Sequence, residues 1–279
     1  MARFLFWNLC NRPLEELVSE IVGEQDIQFV ILAEAERRRA TILSTLNATQ
    51  TRFRFHPTPT KNSSVDVYST LPTNAVHSLR DSGRLSFRRI TPPIGGEFLL
   101  VTAHLPSKMH QKPVDQAQLC TVWSRLIESE EDKLGHRNTL FVGDLNMNPF
   151  EEGMVSGFGF HAVRTKERAL KVGRKINGFP SRPFFYNPMW RLLGDHENTV
   201  AGTFHHTGST AIEYFWHVLD QVLVRPGLLH LFDDKETKIL SRVGQKSLLT
   251  DNLLPSTTVA SDHLPLIFQL NFERAGNDN

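Results

Sequence analysis

Asn138-Thr139-Leu140-Phe141-Val142-Gly143-Asp144-Leu145-Asn146 runs from a short apolar stretch directly into polar residues. Asn138 to Val142 has the length and side chains of a buried strand, and Gly143-Asp144 ends it. The same arrangement recurs along the chain. Arg3 to Leu9 reads as a strand carrying Asn8 at its end. Ile27 to Ala33 is an apolar run, interrupted only by Gln28, that stops at Glu34, the pattern of a strand buried on both faces. Glu97 to Ala103 stops at His104, and Asp220 interrupts the strand-like stretch His217 to Val224. Asp262-His263 immediately precedes the last such stretch, Leu264 to Phe272.

Strands that stack side by side bring their ends together. Several carboxylates gathered there would repel one another and lose hydration. A hard divalent cation resolves that conflict. Mg²⁺ suits carboxylate and amide oxygens, with Mn²⁺ a plausible substitute, and neighbouring histidines can move protons or hold phosphoryl oxygens.

The segments between these strands set the fold class. Leu14, Leu17, Val18, Ile21 and Val22 fall on one helical face, with Asn11 placed to cap it, Pro13 in its first turn and Gly23 near its end. Further helices are expected over Arg37–Leu46 and Val114–Ile127, and further strands at Arg52–His56, Ser64–Ser69 and Leu85–Ile90. Pro149 to Tyr214 is rich in Gly, Pro and aromatics with weak periodicity, and reads as long loops with short elements. Hairpin-length connections mixed with crossovers favour a layered α/β domain with mixed or antiparallel sheets over a doubly wound parallel sheet. No linker divides the chain, so residues 1–273 are expected to form one domain and residues 274–279 a flexible tail.

Bulk properties narrow the function classes. The 279 residues are 40% hydrophobic and 22% charged, with a formal net charge of +1. That balance provides no global field toward polyanions, so any such attraction is local. Two cysteines, Cys10 and Cys120, support neither a disulfide framework nor a Cys-rich zinc site. The N-terminal apolar run is too short for a signal peptide or a membrane span, and the expectation is a cytoplasmic protein.

Six motifs together carry a family resemblance: Trp7-Asn8; Asp26-Ile27 to Leu32-Ala33-Glu34; Thr102-Ala103-His104-Leu105; Gly143-Asp144-Leu145-Asn146-Met147-Asn148-Pro149; Leu219-Asp220-Gln221-Val222; and Ser261-Asp262-His263-Leu264-Pro265. In this order the chain resembles the endonuclease/exonuclease/phosphatase superfamily, which contains DNase I-like nucleases, inositol-phosphate phosphatases and neutral sphingomyelinases. The resemblance implies a four-layer α/β sandwich, two mixed β-sheets face to face with helices outside. It also implies roles. Glu34 would be the principal Mg²⁺ ligand, with Asn8 and Asp262 near that metal or a second one. Asp144 would orient or deprotonate the attacking water, and Asn146 would hold that water or a phosphate oxygen. His263 would contact the scissile phosphate, oriented and kept charged by Asp220, and His104 would bind or protonate a phosphate oxygen. The reaction implied is in-line attack of water on phosphorus.

Plainer readings stand beside these. Asn8 could be a turn residue, Asp144 and Asn146 an Asx turn, His104 a core histidine and Asp220 a structural partner of a surface base. Glu36 competes with Glu34 for the ligand role, but its position suits the start of a helix better. His205, His206 and His217 lie near Tyr214-Phe215-Trp216, with no Cys or carboxylate at a familiar zinc spacing, and read as loop or substrate-side residues.

For the substrate, Arg164, Lys166, Arg168, Lys171, Arg174, Lys175 and Arg182 form a basic strip near Phe184-Phe185-Tyr186 and Trp190, as a nucleic-acid backbone with stacking bases requires. Arg37-Arg38-Arg39 and Arg88-Arg89 add smaller clusters. The strip could equally be a solvated loop, or serve a phospholipid or inositol phosphate head group. The His-Leu form of the His104 motif departs from the abasic-site endonuclease branch, where a tyrosine motif is usual. Ser63 to Ser69 replaces a Gly-containing strand and Thr70 a frequent basic residue, so phosphate contacts there would fall to Lys61 or Lys108. A non-catalytic binding module of the same fold is the alternative of a different class; intact Glu34, Asp144, Asp220, Asp262 and His263 argue against it.

Overall fold

The computed structural model describes residues 1–48, 52–60, 63–108, 112–171, 173–194, 200–209 and 211–272. The expected tail at 274–279 lies outside them, as does Lys61. Two large sheets carry the fold. The first contains β1 (Ala2–Asn8), β2 (Phe29–Ala33), β3 (Arg54–Phe55), β4 (Val65–Ser69), a short β12 (Lys238–Ile239) and β13 (Leu266–Leu270), in the order β12-β13-β1-β2-β4-β3. The second contains β5 (Val76–Asp81), β6 (Leu85–Ile90), β7 (Phe98–His104), β8 (Thr139–Asp144), β9 (Ala162–Val163), β10 (Phe185–Tyr186) and β11 (Asp220–Val224). Its order is β5-β6-β7-β8-β11-β10-β9. Both sheets are mixed: β1 runs parallel to β2 and β7 to β8, while β13 and β11 run antiparallel to their neighbours.

Side-chain alternation along the strands builds the layers. Phe4 and Phe6 of β1 face the inter-sheet core with Phe29, Ile31, Leu100, Leu140, Val142 and Phe268. Phe4 stacks between Phe29 and Phe268 at 4.6 and 4.9 Å, and each such buried ring contributes roughly 1.5–3 kcal/mol. Leu5 and Trp7 point the other way, onto α1 (Glu15–Gln25) and α2 (Arg39–Leu46). On the second sheet Leu99, Val101 and Phe141 meet Cys120, Trp123 and Ile127 of α3 (Pro113–Leu134). Helix, sheet, sheet, helix is the four-layer α/β sandwich expected.

Several boundaries differ from the expectation, each for a local reason. Asn11 does not cap α1, whose N-cap is Leu14 without a side-chain bond; the Asn11 amide goes to Glu34 Oε2 instead. Gly23 lies inside α1, and Asp26 at φ 50° ends it. β5 carries exposed polar residues at the edge of its sheet, so no apolar run announced it. α3 continues past Ile127 because Glu131 is buried against Arg225 Nε (2.8 Å) and Thr139 Oγ1 (2.7 Å). The stretch His217–Val224 is broken. Trp216–His217 pairs with Phe204–His205 in a separate hairpin, and β11 begins at Asp220.

Candidate active site

β1, β2, β7 and β8 end, and β11 and β13 begin, at one pole of the sandwich. The registers enforce this: Asn8 is level with Ala33, and Asp144 is level with both His104 and Asp220. Gly143 is required beside Ala103, because a Cβ there would collide with the Ala103 carbonyl. After β2 the chain turns through Glu34 at φ 51°, and after β8 through Asn146 at φ 49°. Left-handed backbone at non-glycine residues is strained, and strain of this kind concentrates at functional sites.

Two groups of polar contacts form there. In the first, the buried Asn8 donates its amide to Asp144 Oδ2 (3.0 Å) and Glu34 Oε1 (3.3 Å), and its own oxygen accepts from the Cys10 N–H. His104 Nε2 lies 3.6 Å from Asp144 Oδ2 and 3.7 Å from Glu34 Oε1. Glu34 is half-buried, facing the cleft, whereas Asp144 is buried. In the second, the protonated His263 donates Nδ1–H to Asp220 Oδ2 (2.8 Å), and His263 Nε2 lies 3.9 Å from Asp144 Oδ2. Burial works against the imidazolium, yet the Asp220, Asp144 and Asp262 carboxylates outweigh it and hold His263 up at about 10. The backbone at His263 is fixed from both sides: Trp7 Nε1 donates to its carbonyl (2.8 Å), and its N–H donates to Ser261 Oγ (3.2 Å).

Asn146 uses its backbone N–H on Asp144 Oδ1 (3.0 Å) and its side-chain amide on the Leu105 carbonyl (2.8 Å). That leaves its side-chain oxygen as an acceptor. Asp262 is half-buried and accepts from Ser261 Oγ (3.1 Å). The cleft between these groups measures about 350 Å³ and is also lined by Phe204, Leu219 and Lys108. All eight expected site residues except Asp220 line it, and Asp220 stands directly behind His263.

The donors facing the cleft test its fit to a cation. Glu34, Asp262 and Asp144 are oxygen donors, the set a hard ion such as Mg²⁺ takes. Cys10 also lines the cleft, but burial, with Asp262 and Glu34, pushes its thiol up to about 11. Atoms of Asp144, Asp220 and His263 also gather within 4.8 Å of one another. Because His263 Nδ1 is already engaged by Asp220 Oδ2, that trio suits proton holding better than metal binding.

Sequence reasoning missed several contributors. Thr203 lies in the stretch read as loop, yet its hydroxyl accepts the N–H groups of Leu219 and Asp220 (3.1 Å each), and its carbonyl accepts the Leu264 N–H (2.8 Å). Glu213 is a carboxylate that the sequence reading did not connect with these histidines. It holds His206 Nδ1 and His217 Nε2 at 3.1 Å each, plus the N–H groups of Phe215 and Gly208. The Phe215 N–H first, then His206, pulls Glu213 down to about 2.

The basic strip is displaced from the cleft. Val163 pairs with Tyr186, Tyr186 with Val224 and Val224 with Leu140. The chain therefore enters Arg164–Arg168 four residues below Asp144, roughly 13 Å along the strand. Arg182 is buried on Glu128 (2.6 Å), Ser124 and the Gly157 and Phe158 carbonyls. Lys166 pairs with Asp234 at 2.6 Å. No described residue between 164 and 182 lines the cleft. Arg38, Arg39 and Arg89 are likewise engaged, by Glu15, Asp66 and Glu97. Lys108 does reach the cleft, paired to Glu151.

Fold and site together define a DNase I-like α/β sandwich with its polar cleft at the shared strand ends. Solved structures of that class superimpose along nearly the whole chain. An endonuclease/exonuclease/phosphatase family protein from Bacteroides thetaiotaomicron matches with a TM-score of 0.58 at 12% identity, covering 97% of this chain and 98% of that one. An AP endonuclease from Archaeoglobus fulgidus matches with a TM-score of 0.55 at 14% identity, covering 97% and 99%. D. rerio TDP2 complexed with single-strand DNA product gives 0.55 at 14%, covering 97% and 98%. No family model matches the sequence, and no curated protein does. No helix among the described residues is long and apolar enough to cross a membrane.

Proposed function

We propose that this chain is a Mg²⁺-dependent phosphoesterase, with residues 1–273 as one catalytic domain and a nucleic-acid phosphodiester as its substrate. The observation that carries the reading is the convergence of Asn8, Glu34, His104, Asp144 and the Asp220–His263 pair on one cleft. Two of the structural neighbours, the AP endonuclease and the DNA-bound TDP2, bear nucleic-acid names and support the substrate class.

Glu34 would hold the cation, with Asn8 and Asp262 beside it. When bound, the ion would supply Lewis-acid polarisation of the phosphoryl group. Asp144, fixed by the Asn8 amide and the Asn146 N–H, would accept the proton of the attacking water. The free oxygen of Asn146 would orient that water. His263, kept positive by Asp220, would meet the phosphate oxygens through Nε2, and His104 would bind or protonate a phosphate oxygen as charge builds.

A second reading rests on the cleft walls. Phe204 and Leu219 line it, and Phe150, Tyr214 and Phe215 stand exposed on neighbouring loops. Such a rim suits a phospholipid or other amphipathic phosphoester. A substrate panel decides: single-stranded and duplex DNA, RNA, sphingomyelin and inositol phosphates, each in Mg²⁺, with EDTA and Asp144→Asn controls. Turnover of nucleic acid alone supports the first reading and of lipid alone the second. A wild-type protein that cleaves nothing in Mg²⁺ or Mn²⁺ removes both.

A further inference from the structure

At one side of the sandwich β3 and β5 are the outermost strands of their sheets. Near this side Arg88 of β6 sits buried, only 1% exposed. It shares a strand face with Ile90, which belongs to the inter-sheet core. Nη1 donates to Ser86 Oγ (3.0 Å) and Thr102 Oγ1 (3.3 Å), and Nη2 donates to the His56 carbonyl (3.2 Å). Nε has no hydrogen-bond partner among the described residues.

Every acceptor Arg88 meets is neutral. The acids in its neighbourhood are committed elsewhere: Asp66 to Arg39, Asp81 to the Gly83 N–H and the Thr60 hydroxyl. A guanidinium taken out of water without a counter-charge is a costly arrangement. Burial, opposed by Asp81 and Asp66, brings Arg88 down to about 10, so it stays charged at neutral pH. The surroundings add neutral donors. A hollow of about 540 Å³ reaches Arg88 and is lined also by His56, Thr73, Asn74, His77 and Ser78. It shares no residue with the catalytic cleft.

We propose that Arg88 is the floor of a second, non-catalytic anion site that takes a phosphate group, either inorganic phosphate or the phosphate of a small phosphomonoester. A tetrahedral oxyanion presents several acceptor oxygens at once, matching a guanidinium surrounded by hydroxyl, amide and imidazole donors. It would supply the directly bonded negative charge that no described residue gives Arg88.

Calorimetric titration of the full chain in EDTA, with inorganic phosphate in one arm and glycerol phosphate in the other, tests this. Binding is expected in at least one arm, which identifies the source. Arg88→Met should weaken it by about tenfold or more, the loss of a charge-assisted contact. His263→Ala should leave it unchanged, which separates this site from phosphate held in the cleft. Should Arg88→Met fail to fold, the exposed-rim double variant Asn74→Ala/His77→Ala should weaken binding by about fivefold. No binding by the wild type, loss of binding in His263→Ala, or undiminished binding in the folded Arg88→Met or the rim variant overturns the proposal.

Discussion

Asp220 shows how one buried side chain sets the state of another. It is fully buried, and its carboxylate faces His263 Nδ1 at 2.8 Å. Asp220→Asn keeps the shape and removes the charge that holds the His263 proton. The His263 pKa, read by NMR in EDTA, should fall well below its present value of about 10. Turnover should fall by roughly 10²–10³ with KM changed little, because the lost interaction is one with developing charge. An unmoved His263 titration would refute the coupling. His56 illustrates the opposite shift. Burial, then Arg88 and Arg54, lowers it from 6.5 to about 4. A depressed folded pKa means the unfolded chain binds the extra proton between those values. Its contribution is therefore complete above pH 6.5 and is lost as pH falls toward 4. The loss is on the order of 3 kcal/mol. Urea melts of wild type and His56→Gln in phosphate-free buffer should show the wild type alone losing this increment across that window; parallel curves would remove the claim.

At the scale of elements, the strand ends do the positioning. Gly143 sits where β8 passes the β7 backbone, so Gly143→Ala must push the two strands apart just before Asp144. A loss of about 1–3 kcal/mol is expected, together with reduced activity, and thermal melts with kinetics check both. Full stability would mean the strands tolerate the methyl group. This part of the architecture was legible in the sequence because a buried strand announces itself as an apolar run, and a polar residue ending that run has few structural uses. Glu34, His104 and Asp144 were found that way. The edge strand β5 gave no such signal, since Val76 to Asp81 is mostly polar and exposed. Thr203 and Glu213 were hidden for another reason: both flank or lie within a hairpin whose pairing, Phe204 with His217, joins residues outside any periodic pattern. The distance of the basic strip from the cleft was not legible, because charge density along a sequence carries no information about which pole of a sheet it reaches.

Across the whole molecule, the site belongs to neither sheet alone. Asn8, Glu34 and Asp262 come from the first sheet and its flanking turns, His104, Asp144 and Asp220 from the second. A cation held at Glu34 and Asp262 would tie together two turns that flank the first sheet, at the pole where the second sheet brings Asp144. Ligand that binds only the folded state raises its stability by mass action, about 2.7 kcal/mol at a hundred times the dissociation constant. Mg²⁺ should accordingly raise the melting temperature of the wild type, and EDTA should reverse the rise. Glu34→Gln separates the ion from the fold. Removing a carboxylate that faces Asp144 across Asn8 relieves repulsion in the metal-free state. The variant should then melt at or above the metal-free wild type, yet show no response to Mg²⁺. Calorimetry with and without the ion reads both quantities, and a Glu34→Gln protein that still gains the full shift would place the cation somewhere other than this cleft.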